Sequence, residues 1–514
     1  MKKLFTALLM LVSMALLSAC ERVNSDGAAT NGPAFRILAG SELKDVEGLV
    51  KDFGKSQGLT VVMDYSGSLD AVDRLTEANN YDAVWVSHGK YLQLMPQVKE
   101  QIKASEKTMY SRVVLGVKPE KMRELNWASG KTSWHDIVSA AKAGKFRFAM
   151  TNPAGSNTGF VALVGLASEL SGKGDALQES DIPADKLKEL FVGQKMTSGS
   201  SGILADQFVA NSENVDGIVN YESVVRTINQ KVPLTVLIPK EGVITADYPL
   251  MLLTKSKQQV FYDKLVEHLR SPAVQQQIAQ QTFRTPLTGS GSDEVVNELP
   301  FPGTLKVVDA ILRGFMDEYS RPASSYFVLD VSDSMRGARL AEMKQSMATL
   351  TQGDGSVTGR FATFRGREKV YITSFASTAK PAQLFEMQTD ATANKAVLNG
   401  IANSVNSLEV DGGTAIYDAL LSVYAKAQAE LKAGNRSVSI VLFTDGENNT
   451  GSNLEVFLNI VKQQGAPTVP VHAILYGEGD VEEMTSLVNA TGGKTFDARK
   501  VSLKSVLKAI RAYQ

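Results

Sequence analysis

The run Tyr326-Phe327-Val328-Leu329-Asp330 constrains this chain more than any other stretch. Four apolar residues without polar alternation predict a strand buried on both faces, and such a strand needs helices on both sides of its sheet. The run stops on Asp330, and hydroxyls follow at Ser332 and Ser334. A buried strand ending this way delivers one carboxylate and two hydroxyls to one sheet edge. Hard oxygen ligands suit a hard divalent cation, although Asp and Ser are also ordinary turn residues. Two later segments carry matching chemistry. Asp411-Gly412-Gly413-Thr414 is a glycine loop with one hydroxyl, followed by an apolar-periodic helix from Ala415. Ser439 to Thr444 is a second apolar strand, ending in Asp445-Gly446.

These three segments, in this order, resemble the metal-ion-dependent adhesion site (MIDAS) of a von Willebrand factor type A (VWFA) domain. The resemblance covers about Ser324 to Gln514. It implies that Ser332, Ser334 and Thr414 approach a metal, with Asp330 and Asp445 acting directly or through water. The implied ion is Mg²⁺, or Mn²⁺ or Ca²⁺. Asp333 departs from the pattern, since bacterial members usually have Gly there. Its charge either raises cation affinity or points to solvent.

The chain has 514 residues, which predicts several domains. The net charge of −1 suggests no polyanion partner, so nucleic acid is not expected. One cysteine excludes an internal disulfide. That cysteine closes a basic start, Met1-Lys2-Lys3, and an apolar stretch from Leu4 to Leu17, within Leu17-Ser18-Ala19-Cys20. Residues 1–19 read as a secretion signal. With Cys at the cleavage point they resemble a bacterial lipoprotein signal, which implies lipid on the Cys20 thiol. Glu21, rather than Asp, favours the outer membrane in a source with two membranes. Nothing later has the ~20 apolar residues of a membrane span. The chain is expected to be held by lipid at the periplasmic face and otherwise soluble, with residues 20–34 as a flexible tether.

From Phe35, strands, small polar loops and helices alternate, which predicts a parallel α/β sheet. The helix opened by Ser133-Trp134, the Asn152-Pro153 loop and the Tyr221-Glu222 turn resemble a type II periplasmic solute-binding protein over about Phe35 to Pro286. That resemblance implies two α/β lobes closing on a ligand. One lobe would run from Phe35 to about Leu115 and from Tyr248 to Arg284, with the other between. Candidate cleft residues are Ser41, Ser66, Ser68, Ser156, Thr158, Ser198, Ser200 and Tyr221. Hydroxyls and helix-start N–H groups suit an anion. The loops hold no arginine, which points to a tetrahedral oxyanion on neutral donors or to a polar organic solute. The same Gly/Ser loops also serve as turns and helix caps. His88 and His135 read as exposed or capping residues, His268 as part of a polar helix and His472 as part of a buried strand.

Residues 287–323 read as an acidic Gly/Ser linker and a connecting helix, Leu305 to Tyr319, packed between two separately folding domains; protease would cut near Gly289 to Asp293. The last domain, 324–514, is expected to be doubly wound, with its site beyond the carboxyl ends of the strands. These readings give a non-enzymatic, lipid-anchored envelope protein. It would bind a small polar or anionic solute and dock a protein that offers an acidic side chain to the metal. The alternative is the solute receptor of a membrane transport system. No Ser/His/Asp or Cys/His set suggests an enzyme.

Overall fold

The computed structural model describes residues 34–77, 80–287, 297–477, 479–499 and 501–513. Cys20 and the expected cleavage stretch Gly289 to Asp293 lie outside them.

The first two sheets form two lobes. The first lobe has strand order Thr60–Ser66, Ala34–Gly40, Ala83–Trp85, Pro249–Leu253, Ile102–Lys107. Its first three strands are parallel, and Pro249–Leu253 inserts antiparallel. The second lobe is built on Ser111–Val117 and Gly217–Tyr221, with Phe148–Ala149, Gln194–Met196, Ile244–Ala246 and Thr235–Leu237 around them. The first crossing therefore falls between Lys107 and Ser111. The sequence reading placed it near Leu115, but Leu115 pairs with Val219 and Leu237 in the second sheet. The apolar run there continues through the crossing, so composition does not mark it. The two crossings are pinned together. Trp85 Nε1 donates to the Tyr248 carbonyl (3.0 Å), and Thr108 Oγ1 donates to the same oxygen (2.7 Å).

The third sheet has order Gln383–Glu386, Lys369–Phe375, Ala323–Asp330, Ser437–Thr444, Val471–Leu475, Thr495–Asp497. All but the first are parallel to their neighbours. Every residue of Ala323–Asp330 is buried, as its unbroken apolar run requires. Side chains alternate across the sheet. Tyr326 and Val328 join one apolar cluster with helices Ile416–Ala433 and Val481–Thr491. Phe327 and Leu329 join another with helices Ala338–Gln352 and Leu503–Arg511. Parallel register sets Tyr326 beside Tyr371, and their rings stack at 4.2 Å. The architecture is α/β throughout: a two-lobed unit followed by a doubly wound one.

The connecting helix is Leu305–Gly314, continued by a π-turn, Phe315–Tyr319. Val307, Val308, Ile311, Leu312 and Phe315 pack into the core of the two-lobed unit. Its polar side meets the third sheet's domain: Arg360 donates to Asp309 (2.7 Å), and the Gly366 N–H to Asp317 (2.8 Å). Beyond Ala338–Gln352 the chain forms a short helix, Val357–Ala362. Val357 and Phe361 belong to the same apolar core as the first two lobes. Asp73, in the helix Ser68–Thr76 of the first lobe, accepts from the N–H groups of Val357 (2.7 Å) and Thr358 (2.9 Å) and from Thr358 Oγ1 (2.5 Å).

Candidate functional sites

Parallel pairing aligns the ends of Ala323–Asp330 and Ser437–Thr444, so Asp330 and Asp445 meet at one edge. Ser332 Oγ and Ser334 Oγ lie 3.0 Å apart, and Ser334 Oγ donates to Asp445 Oδ1 at 2.7 Å. Thr414 completes the group: a Cβ on Gly446 would lie 3.5 Å from Ser334 Oγ and 4.0 Å from Thr414 Oγ1. Asp330 stands behind, accepting from the Ser332 N–H (2.8 Å) and from Thr444 Oγ1 (2.7 Å). Burial pushes the Asp330 carboxyl up, against the hydrogen bonds from Ser332 and Thr444 that favour its ionised form. The glycine loop is fastened at several points. Gly412 takes a left-handed φ of +45°, and its carbonyl accepts from the Asp333 N–H (3.0 Å). The Thr414 N–H donates to Asn449 Oδ1 (2.8 Å), and the Ile416 N–H to Asn448 Oδ1 (2.9 Å).

Ser332, Ser334 and Asp445 are thus in direct contact, Thr414 faces the same edge beside Gly446, and Asp330 orients the turn. Asp333 resolves to the second of its alternatives, since its exposed carboxylate pairs with Arg336 at 2.7 Å. Sequence reasoning missed Arg339, whose guanidinium donates to Asp445 Oδ2 at 2.6 Å while Asp445 is wholly buried. It also missed the Asn448–Asn449 pair, although two amides one residue after Asp445-Gly446 were a visible cue. Among the described residues, no three His, Cys, Asp or Glu side chains cluster. A cation here would be held mainly by hydroxyls. The donor set is all oxygen and suits a hard ion.

A second polar centre joins the two lobes. Ser68 Oγ of the first lobe donates to Asn157 Oδ1 of the second at 2.6 Å. Asn157 Nδ2 donates to Tyr221 Oη (3.1 Å) and to Ser87 Oγ, and Tyr221 Oη donates to Ser87 Oγ at 2.7 Å. The lobes touch at the backbone as well: a Cβ on Gly67 would lie 2.7 Å from the Gly155 carbonyl oxygen. Glu42 faces the same centre. Its Oε1 is buried with no hydrogen-bond partner, and burial pushes its carboxyl up despite its own backbone N–H, Ser87 and Arg284.

Of the cleft candidates, Ser68 and Tyr221 lie in this network. Thr158 Oγ1 and Ser198 Oγ are buried without partners. Ser156 and Ser200 stand at helix starts without a side-chain capping bond. Two candidates are corrected. Ser41 is exposed, and Glu42 beside it is the group turned inward. Ser66 closes locally on Gly67 O and Asp70 Oδ2. The absence of arginine also holds only for the loops. Arg284, from a distant segment, reaches Asp45 (2.6 Å) and the Glu42 carbonyl (2.8 Å), and lies 4.9 Å from the Tyr248 ring centre. Ser87, Asn157, Glu42 and Arg284 are adjacent only in the fold. His88 is corrected too: it is buried against Phe301. His135 is exposed near Lys186, His268 stacks on Phe53, and His472 is buried in its strand with both ring nitrogens unpartnered.

The last residues of the chain lie on the second lobe. A Cβ on Gly155 would come within 2.3 Å of Ala512 Cβ, and one on Gly199 within 2.7 Å of the Tyr513 ring. Together with the Asp73 contact, this leaves the third sheet's domain touching both lobes.

Residues 35–284 match the family model for bacterial extracellular solute-binding proteins, and residues 326–509 match that for the von Willebrand factor type A domain. The chain joins one domain of each kind. No curated protein matches. Similar solved structures include the periplasmic binding protein AfuA from Actinobacillus pleuropneumoniae, solved with exogenous fructose-6-phosphate bound. It is 14% identical, with 56% of this chain and 99% of that chain covered and a TM-score of 0.44. A periplasmic thiamin binding protein is 13% identical over 56% and 99%, with a TM-score of 0.44. The sulfate-binding protein SubI from Mycobacterium tuberculosis is 16% identical over 50% and 88%, with a TM-score of 0.39. Among the described residues, no helix is long and apolar enough to cross a membrane.

Proposed function

We propose that this joined pair of domains works as a non-enzymatic envelope protein. The solute-binding domain holds a small polar solute between its lobes, and the VWFA domain docks a protein through a divalent cation. Lipid on Cys20 would hold it at the periplasmic face, on the outer membrane where the source has two.

The observation that carries the docking reading is the all-oxygen group formed by Ser332, Ser334, Thr414 and Asp445 at one sheet edge. These residues would hold Mg²⁺, or Mn²⁺ or Ca²⁺, with Asp330 steadying the turn. The ion's contribution is a positive charge with coordination positions left to water. Asp330 and Asp445 bring two negative charges, and Arg339 already offsets one of them. The site therefore keeps an appetite for a carboxylate from a partner, which would displace water and gain a charge-assisted contact. The histidines offer no general base: His472 is sealed in its strand and His88 is packed on Phe301. Cross-linking and mass spectrometry with and without EDTA test this reading. Asp330→Ala and Ser332→Ala should abolish the chelator-sensitive partners. Partners that survive both chelation and Asp330→Ala would remove the metal edge as the docking surface.

For the cleft, the unpartnered Glu42 Oε1 and Thr158 Oγ1 support a solute that brings its own hydrogen-bond donors. Glu42 makes a free anion a poor match. A thermal-shift screen of the full chain against amines, amino acids, sugars and oxyanions tests this, because a ligand of the native state raises the melting temperature by mass action.

A further inference from the structure

A small cavity of about 30 Å³ lies where the connecting segment meets both domains. It is lined by Asn152 and Gln194 of the second lobe, Ser320 and Arg321 of the connector, and Arg365 and Ser437 of the VWFA domain. It shares Ser320 and Arg321 with a broad groove of about 890 Å³, which gives it an entry path.

Its positive charge is only partly offset by the protein, through Glu368 and Asp317. Arg365 is 6% exposed, yet its guanidinium makes one hydrogen bond, to the Arg511 carbonyl at 2.6 Å, and its Nε is buried with no partner. Among the described residues, the Arg321 guanidinium donates to two carbonyls, of Gly434 and Lys195, at 3.4 and 3.5 Å. The buried acid of this layer, Glu368, is already taken: Arg511 binds both its oxygens, at 2.8 and 2.7 Å. Asp317 accepts from the Gly366 N–H. Lys195 adds more positive charge, its ammonium held down by burial and by Arg321 and Arg147. Arginine does not shed its proton in proteins. A guanidinium removed from water without a full counter-charge is a heavy cost, which a bound anion relieves.

The neutral groups of the cavity fit the same ligand. Gln194 Nε2 donates one hydrogen to the Met150 carbonyl and Asn152 Nδ2 one to the Arg511 carbonyl, so each amide keeps a second donor. Ser320 and Ser437 add hydroxyls. Two planar guanidinium forks with amides and hydroxyls match the several acceptors of an oxyanion, not a bare halide. We propose that this cavity binds one inorganic oxyanion of the phosphate or sulfate kind, bridging the connector, the second lobe and the VWFA domain.

Calorimetric titration of the full chain with phosphate and with sulfate, against chloride at equal ionic strength, tests it. One saturable oxyanion site is expected, weakened at least about tenfold by Arg321→Met and by Arg365→Met. Asn157→Leu, in the inter-lobe cleft, should leave it intact. The site is overturned by no saturable binding, by chloride binding equally well, by unchanged affinity in Arg321→Met, or by loss in Asn157→Leu alone, which would move the oxyanion to the cleft. Arg321 is only half-buried, so Arg321→Met decides the matter if Arg365→Met fails to fold.

Discussion

Asp73→Ala should loosen the VWFA domain from the first lobe without unfolding either. Asp73 is 6% exposed and holds two backbone N–H groups and one hydroxyl of Val357 and Thr358 at 2.7, 2.9 and 2.5 Å. Hydrogen bonds to a charged group contribute about 1.5–3 kcal/mol each, and bonds sharing one carboxylate do not add fully. The two N–H groups are first-turn donors of Val357–Ala362, whose Gly359 N–H keeps Ser356 as its acceptor. A total of about 3 kcal/mol follows, or roughly a hundredfold in the local opening equilibrium. Native-state hydrogen exchange reads this directly. The Val357 and Thr358 amides should exchange about a hundredfold faster in the variant, by the same estimate. The Val328 amide, in the central strand, should hold its rate. Unchanged exchange at Val357 and Thr358 would refute the clamp, and a rise shared equally by Val328 would show global destabilisation instead.

Other perturbations have equally definite outcomes. Burial, with Lys494 nearby, holds the His472 imidazole down at about 4, against 6.5 in the unfolded chain. The unfolded chain therefore binds the extra proton. The stability His472 contributes is complete above pH 6.5 and is lost as pH falls towards about 4, at no more than about 1.4 kcal/mol per pH unit. His472→Leu should flatten that part of a urea-denaturation pH series, and an unchanged slope would place the titration elsewhere. Arg339→Ala removes the internal counter-charge of Asp445, so Mn²⁺ measured by paramagnetic relaxation should bind at least about tenfold tighter; equal or weaker binding would show that Arg339 does not compete with a cation. Cys20→Ser should move the chain to the soluble fraction or leave its signal uncleaved, and lipid label persisting on the variant would exclude Cys20 as the anchor.

The parts of the fold that follow from local pattern were legible. The unbroken run before Asp330 predicted a strand buried on both faces, which Ala323–Asp330 is. The oxygen-bearing edge proposed to hold a cation was readable as a cluster because its residues fall at strand ends in three short segments. Arg339 was not, because its role depends on a side chain folding back across the turn it follows. The inter-lobe centre was only half readable. Ser68 opens a helix and Tyr221 ends a strand, both marked by local pattern, whereas Ser87 and Arg284 come together from segments far apart in the chain, which no local period records. The helix Val357–Ala362 escaped for a similar reason: it has six residues, follows Gly353 and Gly355, and is held by Asp73, far away in the chain.

The interleaved order of the first sheet sets a schedule for synthesis. Ile102–Lys107 pairs with Pro249–Leu253, which in turn lies against Ala83–Trp85. As the chain emerges from its amino end, the first lobe is left with a gap at its middle until the whole second lobe has been made. The second lobe, whose strands all fall between Ser111 and Ala246, can close first. Such long-range pairing folds slowly and exposes strand edges while it waits. A nascent chain halted before Pro249 would present Ile102–Lys107 and Ala83–Trp85 as open edges, the stage at which a holding chaperone has most to protect.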